Sequence, residues 1–203
     1  MTQAEVLFIT YGMSSVYLAL GLLLCGAETL RIARSTKPYT LFTAFGSGTL
    51  GPVPIALIVF VGLLILMHLF HTKTLAGRSI SLMGGNKDAA FLCGFNIKRT
   101  MRLVYTISGI MSALGGIALA SRITTAQATF GGGYETNAIL CVVVGGTTLK
   151  GGKGSVIRTM LGVVLITLLG NCMNMLGLST YMQTVMRGAV LVIAIWLDNR
   201  REL

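Results

Sequence analysis

Charged side chains are scarce in this sequence, and acidic side chains are the scarcest. Only 11% of the 203 residues are charged, and Asp and Glu together number 6, whereas charged residues make up roughly a quarter of an average soluble domain. Hydrophobic residues account for 54%, which is more apolar surface than a soluble core of this length could enclose. Lipid tails can act as the apolar solvent instead, so the composition predicts an integral membrane protein.

The sequence also lacks the patterns of metal sites, disulfide frameworks and catalytic centres. Its 4 cysteines form no CxxC pair, so neither a zinc site nor a set of disulfides is predicted. His68 and His71 occur at the inner end of an apolar run without further ligands on that face, which favours interfacial histidines over a metal site. The glycines of 151–154 lack the spacing of a phosphate-binding loop. We find no set of acid, base and nucleophile, so the sequence predicts neither an enzyme nor a bound cofactor.

Apolar runs of about bilayer length divide the chain. A straight span needs roughly 20 residues, and the fourth run is shorter than that, so it could be either a full span or a re-entrant half-helix. The first run has no basic segment before it and is too long for a signal peptide, so we expect a retained span. We predict an all-α bundle of about six spans that forms a single transmembrane domain over 1–203. The runs cover about 6–26, 53–70, 103–120, 136–149, 156–175 and 183–197.

The basic residues predict the orientation of these spans. The net charge is +10, and the loop 71–102 carries six basic side chains against the single acid Asp88, so we expect this loop to be cytoplasmic. Arg200 and Arg201 place the C-terminal tail on the same side by the same rule. An even number of crossings must then separate the two, which favours 136–149 as a span and both termini in the cytoplasm. Against this orientation, Arg31, Arg34 and Lys37 would face outward.

The predicted cytoplasmic loop contains a short stretch with the features of a small helix. Asn86 is a typical N-cap residue, and Asp88 follows in the first turn, where a carboxylate suits the helix dipole. Ala89 and Ala90 give the helix a face of small side chains, and Gly94 suits its end. The apolar surface of such a helix either packs on its own bundle or binds a partner.

Asp88-Ala89-Ala90 followed by Gly94 resembles the Glu-Ala-Ala…Gly coupling motif of ABC importer permeases. Further motifs resemble the ribose-type monosaccharide branch of those permeases, and they occur in order over most of the chain. Any one glycine pair would be a weak signal, but the ordered set is a strong one. The motifs include Gly84-Gly85-Asn86, Ser121-Arg122, Gly133-Tyr134-Glu135, Val142-Val143-Val144-Gly145-Gly146-Thr147, Gly151-Gly152 and Leu197-Asp198.

The resemblance implies a permease subunit of a bacterial inner-membrane importer for a monosaccharide of the ribose, xylose or galactose class. In that family a periplasmic binding protein delivers the sugar, two permease chains form the path as a homodimer or heterodimer, and cytoplasmic ATPase subunits hydrolyse ATP. The resemblance assigns coupling to the ATPase to Asp88, Ala89, Ala90 and Gly94. The chain aligns from a middle span of the family onward, so we expect N-terminal spans to be absent and the chain alone not to transport.

Polar side chains near the outer ends of two predicted spans are candidates for the substrate path or its outer gate. Gln127, Tyr134 and Glu135 precede the fourth run, and Asn171 and Asn174 lie near the outer end of the fifth. Amides and a phenol offer hydrogen bonds to a polyhydroxy substrate, and polar groups within a membrane are costly and often functional. The alternative is that they satisfy helix ends and neighbouring helices.

Two other classes of protein remain alternatives to a transporter. A non-transporting membrane scaffold, or a degraded permease fragment, would explain the apolar runs without needing a coupling helix. A membrane-embedded enzyme would need a convergent catalytic or metal-binding set, which the sequence lacks. Association with the ATPase of a sugar importer separates the permease from the scaffold.

Overall fold

The computed structural model describes residues 3–26, 28–31, 37–148 and 151–200. Within them, short antiparallel strand pairs join β1 (Leu30–Arg31) to β4 (Thr125–Ala126) and β2 (Thr49–Leu50) to β3 (Val53–Pro54). A 3₁₀ turn covers Ala128–Gly131. The helices are α1 (Gln3–Cys25), α2 (Lys37–Ser47), α3 (Ile55–Lys73), α4 (Leu75–Gly85), α5 (Lys87–Leu92), α6 (Ile97–Ile123), α7 (Tyr134–Val144), α8 (Val156–Met175) and α9 (Thr180–Arg200). This confirms the predicted all-α bundle.

Four of these helices, α1, α3, α6 and α8, are long and apolar enough to cross a bilayer. In α9 the apolar part, Thr180–Trp196, is shorter. The fourth predicted run forms α7, which has 11 residues and is therefore about 16 Å long, roughly half of a 30 Å hydrocarbon core. The structure thus gives α7 the length of a half-helix, and the count of six spans is not confirmed. Arg34 and Arg201, used above to predict orientation, lie outside the described residues.

The chain clusters into two compact units, and the prediction of a single domain stays a prediction. The first unit combines Met1–Phe60 with Ile110–Gly132. In it the backbone of α2 lies against the end of α6, because a Cβ at Gly46 would be 2.6 Å from the amide nitrogen of Arg122. The hydroxyl of the fully buried Ser121 donates a hydrogen bond to the Phe42 carbonyl.

The second unit combines Val61–Gly109 with Gly133–Leu203, and its buried residues lie mainly on α7 and α8. A Cβ at Gly145 would be 2.7 Å from the Arg158 carbonyl oxygen, and one at Gly162 would overlap the Cys141 carbonyl. The end of α7 therefore meets the start of α8, and the two helices pack antiparallel, backbone on backbone. The buried apolar side chains of this pair are Leu140, Val143, Ile166 and Met173.

Candidate functional site

The predicted coupling segment forms α5, and its end residues act as the sequence indicates. Asn86 Oδ1 accepts hydrogen bonds from the backbone amides of Asp88 at 2.9 Å and Ala89 at 3.1 Å, which confirms Asn86 as the N-cap. The helix ends at Leu92, and Gly94 adopts a φ of +81°, the left-handed conformation that glycine allows at a helix end. Local capping chemistry therefore sets both ends of this short helix.

The residues of α5 differ sharply in exposure. Asp88 and Ala89 are exposed, whereas Ala90 is only 1% exposed and packs inside its own chain. In this conformation the Ala90 methyl group cannot contact a partner, so its predicted role in docking would be indirect. Phe91 and Leu92 are 68% and 85% exposed. The sequence prediction did not single out these two residues, although an apolar pair in a basic loop is a signal for a binding surface when it is exposed.

Two open clefts border the turn that follows α5. Behind the turn, α4 is held to the start of α6, where the buried hydroxyls of Thr100 and Ser79 form a 3.4 Å hydrogen bond. One cleft, of about 420 Å³, lies along this junction and also contains Arg99. The exposed apolar side chains at the end of α5 therefore adjoin clefts whose linings include basic side chains. The other cleft, of about 530 Å³, is lined by Phe91, Gly94, Phe95, Asn96, Ile97 and Lys98.

The predicted gate residues fall into both units. Gln127 belongs to the first unit, where it is partly buried between β4 and the 3₁₀ turn. Tyr134 and Glu135 are exposed in the first turn of α7. Asn171 and Asn174 are exposed on the last turns of α8. Because α7 and α8 are antiparallel, the latter two pairs lie at the same end of this helix pair.

Asn174 has a partner that sequence reasoning missed. Gln183 on α9 donates a hydrogen bond from Nε2 to Asn174 Oδ1 at 2.9 Å, and the same nitrogen lies 3.0 Å from the Leu178 carbonyl oxygen. Gln183 is only 8% exposed, so its side-chain nitrogen is buried with these two acceptors as its hydrogen-bond partners. The signal available in the sequence was a glutamine at the start of the apolar run 183–197.

Arg187, one turn further along α9, is the other polar residue that was missed. Its Nη1 lies 3.5 Å from Asn137 Oδ1 on α7, and a Cβ at Gly170 on α8 would be 3.1 Å from its Nη2. Its Nε is buried without a hydrogen-bond partner. A cation within an apolar helix is costly and marks a candidate functional residue. Here the guanidinium group of α9 lies beside Asn137 on α7 and Gly170 on α8.

Comparison with known proteins gives a consistent set of relatives. The family model described as "Branched-chain amino acid transport system / permease component" matches residues 2–195. The ribose import permease protein of Bacillus subtilis is 39% identical over 79% of this chain, and 50% of its own length is covered. For the xylose transport system permease protein of Haemophilus influenzae the identity is 32%, over 85% of this chain and 48% of the relative. The chain spans about half the length of these relatives, and no solved structure matches.

Proposed function

Because the chain belongs to the family of branched-chain amino acid transport system permease components, we propose that it moves a monosaccharide into the cytoplasm as a membrane permease subunit, driven by ATP hydrolysis in partner subunits. The observation that carries the proposal is similarity to ribose and xylose permeases at 39% and 32% identity. Those relatives also confirm the resemblance to monosaccharide permeases inferred from the sequence motifs. The proposed partners are an ABC ATPase, a periplasmic sugar-binding protein and a second permease chain.

The proposed path uses neutral hydrogen-bonding groups at the shared end of α7, α8 and α9. Gln183 is hydrogen-bonded to Asn174 there, and Asn137 lies 3.5 Å from the Arg187 guanidinium one turn further along α9. Tyr134 and Asn171 are exposed on α7 and α8. Amides and a phenol can both donate to and accept from sugar hydroxyls without holding the sugar by a fixed charge. We assign Gln127, Tyr134, Asn171 and Asn174 to the path or its outer gate on this ground, and we add Glu135, whose carboxyl group can accept hydrogen bonds from sugar hydroxyls.

A branched-chain amino acid is the second candidate substrate. The family description favours it, and so does Arg187, because a guanidinium group binds a carboxylate well and its Nε has no partner. Competition assays separate the two classes. With the ATPase and binding protein present, excess ribose or xylose should block transport of the labelled substrate, whereas excess leucine should not. Inhibition by leucine alone would assign the amino acid instead.

In the proposed mechanism, α5 docks on the cytoplasmic ATPase. Phe91 and Leu92 supply exposed apolar side chains, and the adjoining clefts can accept side chains from the partner. Asp88 and Ala89 lie on the exposed part of the helix, while Ala90 and Gly94 set its packing and its end. Binding of ATP would then move the docked helix, and the membrane helices would alternate access to the path.

The proposed orientation places the loop 71–102 in the cytoplasm. Gly84 and Gly152 are in backbone contact, so the loop that follows α7 lies on the same side of the membrane as the end of α4. This contact agrees with the prediction that the chain returns to the cytoplasmic side before α8. The short helix α7 forms part of that returning segment. Both termini are proposed to be cytoplasmic.

Co-purification tests the proposal against a non-transporting scaffold. A permease subunit should retain a sugar-importer ATPase through detergent extraction, and should lose it when Phe91 and Leu92 are replaced. A scaffold has no need of an ATPase. Failure to bind any such ATPase, with the chain correctly inserted, would reject the permease assignment.

A further inference from the structure

The end of α4 meets the turn before α8 in a contact made almost entirely of backbone atoms. A Cβ at Gly84 would lie 2.7 Å from the Gly152 nitrogen, and a Cβ at Gly151 would lie 2.7 Å from the Gly84 carbonyl oxygen. Gly151 and Gly152 have φ values of +93° and +79°, which L side chains rarely adopt. Only glycines allow the two segments to approach this closely. We call this contact the glycine joint.

On one side, the glycine joint is tied directly to α5. Asn86 is at once the C-cap of α4 and the N-cap of α5: its amide donates to the Leu82 carbonyl at 2.9 Å, while its side chain caps α5. Asn86 is therefore the single residue between the two helices, and both its backbone amide and its side-chain oxygen are hydrogen-bonded. A displacement of α5 would move Gly84 with it.

On the other side, the joint is braced to α7 and α8. The Thr148 hydroxyl donates to the Gly151 carbonyl at 2.9 Å, and the Thr148 amide donates to the Lys153 carbonyl at 3.1 Å. Thr147 bonds back to Val142 of α7 through its amide at 3.1 Å, and its hydroxyl lies 3.3 Å from that of Thr159 on α8. Hydrogen bonds through Thr147 and Thr148 therefore connect the turn to both helices.

From this geometry, we propose that the glycine joint is the element that transmits movement of α5 to α7 and α8, the helices of the proposed path. The inference rests on the proposed function, since it assumes that α5 docks on an ATPase. Closely packed backbone contacts transmit displacement because they leave no flexible side chain to absorb it. Gly84, Gly151 and Gly152 are then positioning residues that act through α7 and α8 without touching the substrate.

Adjacent glycines provide a matched pair of variants. In Gly84→Ala the new methyl group meets the Gly152 backbone at 2.7 Å, whereas in Gly85→Ala it meets the Gly152 Cα at an ordinary 3.7 Å. Both positions belong to the same helix and neither has a positive φ. In reconstituted complexes, we expect Gly84→Ala to lower sugar uptake per ATP hydrolysed by about fivefold or more, and Gly85→Ala to leave that ratio unchanged. Equal ratios in the two variants would overturn the inference.

Hydrogen exchange in the wild-type complex tests the joint even if Gly84→Ala does not fold. Trapping the ATPase with ATP and vanadate should alter amide exchange in α5 and also in residues 151–155. A change in α5 without any change in 151–155 would overturn the inference while leaving the proposed function intact. Failure of the chain to form any complex with an ATPase would reject both.

Discussion

Single residues determine how closely α7 and α8 pack, and Gly162 is the clearest example. A methyl group there would collide with the Cys141 carbonyl. Gly162→Ala should therefore destabilise the folded protein by about 1–3 kcal/mol, the usual cost of overpacking. The control is Gly109→Ala on α6, where a Cβ has no neighbour within 4 Å and the change should stabilise the helix by up to about 1 kcal/mol. Thermal unfolding in detergent measures both, and equal midpoints would contradict the prediction.

Asn174 and Gln183 should be energetically coupled through their 2.9 Å hydrogen bond. In a double-mutant cycle of Asn174→Ala and Gln183→Ala, we expect a coupling energy of about 0.6 kcal/mol, the average found for hydrogen bonds between membrane helices. Denaturation in mixed micelles provides the four free energies. Strict additivity would mean that the two amides do not interact in the folded state.

The proposed docking surface of α5 can be tested with variants of its exposed and buried residues. Replacing Phe91 and Leu92 together by Ser should weaken ATPase binding by at least about tenfold, because exposed apolar anchors contribute a large share of interface energy. Ala90→Trp should instead lower the stability of the loop, because Ala90 is 1% exposed.

Pull-down with the cognate ATPase measures the first effect, and limited proteolysis of the loop measures the second. Lys87→Arg, at an exposed position of the same helix that has no assigned part in docking, serves as the control for both. Normal ATPase binding by the Phe91 and Leu92 double variant would remove α5 from the proposed interface.

The ends of α5 could be predicted from sequence because they depend on local chemistry. Asn86 and Gly94 act within a few residues of themselves, and the structure has both where the motif indicated. The length of α7 and the partners of Asn174 could not be predicted in this way. The contact with Gln183 depends on how α8 and α9 pack, and Arg187 lies 3.5 Å from Asn137, which is 50 positions away in sequence. Hydrophobicity alone does not reveal such partners.

For the whole molecule, the orientation of the chain can be tested by labelling. Lys153 follows the glycine joint and is exposed, so Lys153→Cys, in a background with the native cysteines replaced by Ser, should react with a membrane-impermeant thiol reagent only from the cytoplasmic side. Tyr134→Cys, at the proposed outer gate, should react from the opposite side. Labelling of the two introduced cysteines is compared in inside-out and right-side-out vesicles. If both cysteines react from the same side of the membrane, the proposed topology is contradicted.

The central claim, that this chain is the permease subunit of a monosaccharide importer, is tested most directly by transport in proteoliposomes. The vesicles contain the cognate ATPase, the binding protein and a partner permease chain, with or without this protein, and labelled ribose or xylose is supplied with ATP. A permease subunit predicts ATP-dependent accumulation of the sugar only when this chain is present. Accumulation that is the same without the chain, or absent from every combination despite an active ATPase, would contradict the claim.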